Sequence, residues 1–135
     1  MTAVEPTSAR SVMESTLGAE RLRQDARPFS LDGLVPEVVV APHDAEEIEK
    51  AMAAAWDHGL AVAPWGGGTR ISIGSVPERL GAVLDMSRLD KVVSHNPADL
   101  TATVEAGITL DSLRQTLAQH GQFVAIDPPL PDRAT

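Results

Sequence analysis

Cysteine is missing from all 135 residues of the chain. Its absence excludes disulfides, thiolate-held metals, an iron–sulfur cluster ligated by this chain and a cysteine nucleophile. It also suits a reducing compartment, and a cytoplasmic location is expected. Basic residues are scarce: 11 Lys and Arg stand against 19 Asp and Glu, a net charge of −8. Nucleic acid and anionic membrane surfaces call for clustered cations, so neither is expected as a partner. A bound anion would have to be held by local groups, not by a general positive field. The start, Met1-Thr2-Ala3-Val4-Glu5-Pro6, has no basic stretch followed by an apolar one, so no signal peptide is expected. No apolar run approaches membrane-spanning length, so no integral membrane segment is expected either. His43, His58, His95 and His120 find no second ligand at metal spacing, and no metal site is expected. His58 and His120 read instead as helix C-terminal residues, where partial positive charge is favourable. No serine sits in a nucleophile elbow, and no catalytic residue is assigned.

Apolar residues make up 43% of the chain, an ordinary share for a globular protein. The length suits one small domain with a modest core. Residues 1–7 read as a flexible start. Ser8 to Leu17 suits a short helix with Val12, Met13 and Leu17 on its apolar side and Gly18 as its stop. Residues 19–36, with Pro28, Asp32-Gly33 and Pro36, read as an irregular connection. Val38-Val39-Val40 suits a buried strand. Asp44 with Glu47 three residues on makes a capping box, opening a helix to about His58. That helix is expected to present Ile48, Met52, Ala55 and Trp56 on one face and to stop at Gly59. Leu60 to Ala63 is the next expected strand, completing a parallel βαβ unit. Ala82–Asp85, Val92–His95, Thr101–Glu105 and Phe123–Ile126 are further expected strands. A helix from Leu110 to His120 has Thr109 as its N-cap and Leu110, Leu113 and Leu117 as its buried side. The fold class read from this order is α+β (α/β), a small βαβ-containing sheet with flanking helices.

The run Pro64-Trp65-Gly66-Gly67-Gly68-Thr69-Arg70-Ile71-Ser72-Ile73-Gly74 carries the strongest functional signal. Adjacent glycines place no Cβ between peptide N–H groups and a ligand, and such N–H groups can converge on an anion. A diphosphate would suit them. The spacing matches neither G-x-G-x-x-G opening a helix nor a P-loop. Two readings stay open on the run alone, a phosphate cradle and a tight turn between strands. Its place after the second strand of a βαβ unit is where ligands gather in open α/β sheets.

The order of motifs resembles the flavin-binding domain of FAD-linked oxidases and dehydrogenases of the vanillyl-alcohol oxidase and p-cresol methylhydroxylase group. The matching residues are Val38-Val39-Val40-Ala41-Pro42, Pro64 to Thr69, Gly74, Pro77, Leu84 to Leu89, and Thr103-Val104-Glu105-Ala106-Gly107 with Leu110 and Leu113. Gly121-Gln122-Phe123 and Asp127 to Thr135 look most like the FAD-binding subunit of bacterial glycolate oxidase. The resemblance covers residues 34–135, leaving 1–33 as a helix and irregular lead-in.

The resemblance implies FAD as cofactor, its pyrophosphate wrapped by Trp65, Gly66, Gly67, Gly68 and Thr69, with Arg70, Ile71, Ser72 and Gly74 beside them. It implies a second approach of backbone to FAD at Ala106 and Gly107, and a third stretch near the flavin at Asp127, Pro128 and Pro129. Each has a plainer reading: Trp65 as packing, Arg70 as a solvated side chain, Ala106-Gly107 as a turn, Asp127 to Pro129 as a rigid linker. Some members attach flavin through a histidine in the glycine loop; none is present here, so noncovalent binding is expected. The implied reaction is hydride transfer from a 2-hydroxy acid, such as glycolate or D-lactate, to flavin N5. The chain is expected to be the first half of the FAD domain, without a substrate pocket and not catalytic alone. Partner subunits, including an iron–sulfur one, and a peripheral place at a membrane through them are further implications. A non-redox nucleotide-binding module and a half-domain completed by a partner chain are the alternatives.

Overall fold

The computed structural model describes residues 8–135. Residues 1–7, read from sequence as a flexible start, lie outside the described part. The elements run α1 (Ala9–Leu17), β1 (Val38–Val40), α2 (Ala45–Asp57), β2 (Val62–Trp65), β3 (Ala82–Asp85), β4 (Val92–Asn96), β5 (Thr101–Val104) and α3 (Leu110–Ala118). Short 3₁₀ turns lie between them.

The first sheet is parallel, in the order β1-β3-β2. The two strands of the expected βαβ unit are parallel, but β3 lies between them. Every residue of β1 and β3 is buried, which explains why both read as continuous apolar runs and not as alternating ones. α1 and α2 cover this sheet: Met13, Ala51 and Ala55 join Val38, Val40, Ala82 and Leu84 in one core. Burying a side chain of methionine's size contributes about 1.5–3 kcal/mol.

α2 begins as its capping box directs. Asp44 Oδ1 accepts from the Glu47 N–H at 2.8 Å. The reciprocal bond differs by one position, since the Glu47 carboxylate accepts from the His43 N–H at 2.8 Å. The buried face also differs from the expected one. Ala51 and Ala55 face the core with Ile48 partly buried, whereas Met52 is half exposed and Trp56 is 86% exposed. Alanines let α1 approach closely, and the bulky residues turn outward.

The lead-in is more ordered than its composition suggests. Leu22 bridges Val40 on the free edge of β1, with the Arg23 N–H donating to Val39 O at 2.9 Å and the Ala41 N–H to Arg21 O at 2.8 Å. Leu31 and Leu34 pair around a tight turn in which Asp32 and Gly33 both have positive φ, as a two-residue hairpin turn requires.

β4 and β5 form a separate antiparallel ribbon with an irregularity between Val92 and Ser94. α3 lies across from it. The apolar segment Phe123–Ile126 is not a strand: among the described residues no strand pairs with it, and Phe123 is 80% exposed. Among the described residues no helix is long and apolar enough to cross a membrane.

Candidate functional site

β2 ends at Trp65, in register with Asp85 of β3. The glycine run therefore leaves the carboxyl edge of the parallel sheet. Trp65 belongs to the strand and packs edge-to-face on Phe29, with ring centroids 5.3 Å apart. Its indole also fills the space a side chain at position 68 would need: a Cβ on Gly68 would lie 2.7 Å from the ring. Gly68 has φ +68°, so glycine is demanded there twice.

Among the described residues, no backbone N–H from Gly67 through Ser72 donates to a backbone acceptor; within the loop the Ile73 N–H donates to Arg70 O at 3.1 Å. Successive peptide donors left without a backbone acceptor are what an anion requires. Next to them opens a cavity of about 560 Å³, lined by Thr69 and Arg70 of the loop, Val104, Glu105 and Ala106 after β5, Leu110 and Leu113 of α3, and Asp127, Pro128, Ala134 and Thr135 of the last segment. Small-molecule sites commonly span about 300–1,000 Å³. Five residues singled out in the sequence, Thr69, Arg70, Ala106, Asp127 and Pro128, meet on this one cavity.

A smaller pocket of about 210 Å³ brings together Gly66, Gly67 and Gly107 with Ser87, Asp90, Thr109, Ser112, Arg133 and Thr135. Here Gly67 and Gly107 are required by the chain itself, because a Cβ on either would meet backbone, whereas one on Gly66 would meet the Thr135 side chain. A Cβ on Gly67 would stand 1.5 Å from Arg133 O, one on Gly66 2.0 Å from Thr135 Oγ1, and one on Gly107 1.8 Å from Met86 O. Arg133 also donates to Gly67 O at 3.3 Å. Trp65, Gly68, Ile71, Ser72, Gly74 and Pro129 line neither pocket.

The last segment is fixed at the start of α3. The Leu110 N–H donates to Ala134 O at 2.8 Å and the Asp111 N–H to Pro131 O at 3.0 Å. Thr109 caps the helix by accepting from the Ser112 N–H at 3.2 Å. These bonds satisfy N–H groups that a helix start otherwise leaves unpaired. Arg70 is exposed. Asp127 pairs with Arg114 at 3.2 Å, in an arrangement open to water.

Sequence reasoning missed Ser87, Arg133 and Thr135 as pocket residues. All three fell within matched stretches, but only their approach in space gives them a place. It also missed the ion pair between Arg23 and the buried Asp85, which no local pattern announces. Unpaired loop donors, a cavity of cofactor size and apolar walls at Leu110 and Leu113 fit a dinucleotide with a flat ring system.

The family model described as "FAD binding domain" matches residues 36–135. Glycolate oxidase subunit GlcD of Escherichia coli (strain K12) is 30% identical over 125 residues, covering 87% of this chain and 25% of that protein. The mitochondrial D-lactate dehydrogenase [cytochrome] 1 of Saccharomyces cerevisiae is 32% identical over 96 residues, covering 69% of this chain and 16% of that protein. Among solved structures, an alkyldihydroxyacetonephosphate synthase superposes with TM-score 0.78 at 22% identity, covering 98% of this chain and 29% of that one. A p-cresol methylhydroxylase with substrate bound superposes with TM-score 0.77 at 16% identity, covering 93% of this chain and 27% of that one. At these identities the structures speak for the fold. The chain spans a quarter or less of the length of these two curated relatives.

Proposed function

Because the chain belongs to the FAD binding domain family, we propose that it supplies the diphosphate-holding part of the noncovalent FAD site in a flavin-dependent oxidoreductase acting on a 2-hydroxy acid such as glycolate or D-lactate. The observation that carries this reading is the row of N–H groups from Gly67 to Ser72 that find no backbone acceptor among the described residues, two of whose residues, Thr69 and Arg70, line the 560 Å³ cavity. In this reading those N–H groups and the Thr69 hydroxyl hold the diphosphate. Ala106 allows close approach, while Leu110 and Leu113 exclude water along one wall. Asp127 and Pro128 line the same cavity, where the planar ring system would lie. Gly66, Gly107, Trp65, Gly74 and Pro129 serve by shaping the backbone around the cradle. Bound FAD would supply a hydride acceptor for the substrate's α-carbon. Noncovalent attachment is supported by the absence of histidine from the loop and of cysteine from the chain.

The electron acceptor is proposed to lie in a separate iron–sulfur subunit, since this chain has no cysteine to ligate a cluster. A cytoplasmic location, at a membrane only through such partners, completes the proposal. One structural feature favours a further refinement, that additional polypeptide completes the domain. An apolar trough of about 460 Å³ runs between β4–β5 and α3, with Phe123 and Leu100 on its rim.

The test is titration of the purified chain with FAD, followed by flavin absorbance and fluorescence. Saturable binding with a spectral change is expected. A folded chain that binds no FAD would overturn the cradle in this chain. Retention of an adenine nucleotide without affinity for FAD would favour a non-redox nucleotide module.

A further inference from the structure

β3 ends in a carboxylate that is almost wholly enclosed: Asp85 is 3% exposed. A charge removed from water needs a partner with good geometry. Arg23 provides it, donating from Nε at 2.9 Å and from Nη2 at 2.6 Å to Asp85 Oδ2. The same Nη2 donates to Ser87 Oγ at 3.0 Å. Asp85 Oδ1 in turn accepts from the Ser87 N–H at 3.0 Å. Arg23, Asp85 and Ser87 thus form a closed set of charge-assisted bonds around the turn that leaves β3.

That turn borders the smaller pocket beside the first glycines of the run. Its carbonyls at Met86 and Leu89 meet Gly107, whose N–H donates to Leu89 O at 2.7 Å, with no room for a Cβ between Gly107 and Met86 O. Ser87 borders the same small pocket as Gly66 and Gly67. Arg23 is itself held firmly, through its N–H bond to Val39 O on the edge of β1. It lies outside residues 36–135, the part matched by the family model.

We propose that Arg23 is a positioning residue for the diphosphate cradle, acting through Asp85 and Ser87 and contributed by the lead-in segment; this rests on the FAD reading above. The lead-in is then part of the cofactor apparatus. A domain cut at the family boundary would keep the glycine loop and leave Asp85 buried without its cation.

The test compares FAD affinity, thermal unfolding and amide exchange at Ser87 and Gly107 in the full chain and three variants. Arg23→Met is expected to weaken FAD binding by about ten-fold or more, as loss of hydrogen bonds to a charged group implies, with faster exchange at both amides. Arg23→Lys keeps the charge and should recover part of the affinity. Arg23→Met with Asp85→Asn removes the unpaired charge while keeping an acceptor for the Ser87 N–H. It should regain most of the lost stability yet still bind FAD several-fold more weakly than the unaltered chain. Wild-type affinity in that double variant, or in folded Arg23→Met, would overturn the positioning role and leave the FAD reading standing. Failure of the unaltered chain to bind FAD would overturn both.

Discussion

Position 67 is where the local chemistry is most constrained. A Cβ there points at the carbonyl oxygen of Arg133 from 1.5 Å, and backbone cannot rotate aside as a long side chain can. Overpacking of this kind costs about 1–3 kcal/mol. Gly67→Val is therefore expected to act in two ways at once. It should weaken FAD binding, and it should loosen residues 131–135, which accept the Leu110 and Asp111 N–H groups at the start of α3. The sequence suggests that a valine would crowd the cofactor and spare the helices. The structure ties the substitution to the helix start instead. Amide exchange at Leu110 and Asp111 measures the difference. Unchanged protection there, with FAD affinity lost, would mean that the glycine serves the ligand alone.

The start of α2 shows how one element is held and what pH does to it. Hydrogen bonding from the Arg21 guanidinium, joined by the His43 N–H and opposed by partial burial, lowers the Glu47 carboxyl from its ordinary 4.5 to about 2. The folded value lies below the unfolded one, so the contribution to stability is complete above pH 4.5 and is lost as pH falls toward 2. Glu47→Gln should be less stable than the unaltered chain at pH 7, and the two should converge between pH 4.5 and pH 2. Denaturant unfolding at several pH values checks this; a gap that stays constant with pH would show that the ion pair contributes nothing. Asp44 and Glu47 are legible because capping is local, and the buried valines of β1 are legible because both faces of the strand are covered. Trp56 is not. It lies roughly 100° around the helix from the line of Ile48, Ala51 and Ala55, and only the packing of α1 decides which side faces inward. Phe123–Ile126 fails for a related reason: an apolar run becomes a strand only beside a partner edge, and the described residues provide none there. The glycine loop announced itself, whereas the Arg23–Asp85 pair, 62 positions apart, has no sequence signature.

At the scale of the molecule, the two sides of the fold are finished to different degrees. The β1-β3-β2 sheet has helices packed against it, and its core residues are almost fully enclosed. Among the described residues the β4–β5 ribbon has no third strand, and two strands alone are marginal in water. The trough beside it is walled by Leu113, Leu117, Val104 and Val124, and Leu100 and Phe123 at its rim are 78% and 80% exposed. Contiguous apolar surface of this kind marks a place where another surface docks. Purified alone, the chain offers only its own copies to cover the trough. Net charge of −8 opposes that association at long range, and salt screens the repulsion while leaving the apolar attraction in place. Self-association should therefore strengthen between low and moderate salt, the reverse of what charge pairing would give. Sedimentation velocity across a concentration series would show it. Leu100→Asp with Phe123→Asp should return the chain to a monomer at every salt concentration without moving FAD affinity, because neither residue lines the cavity beside the glycine loop. A chain that stays monomeric in moderate salt without the substitutions would mean that the trough is tolerated in water, and the case for a completing segment would then lose its physical basis.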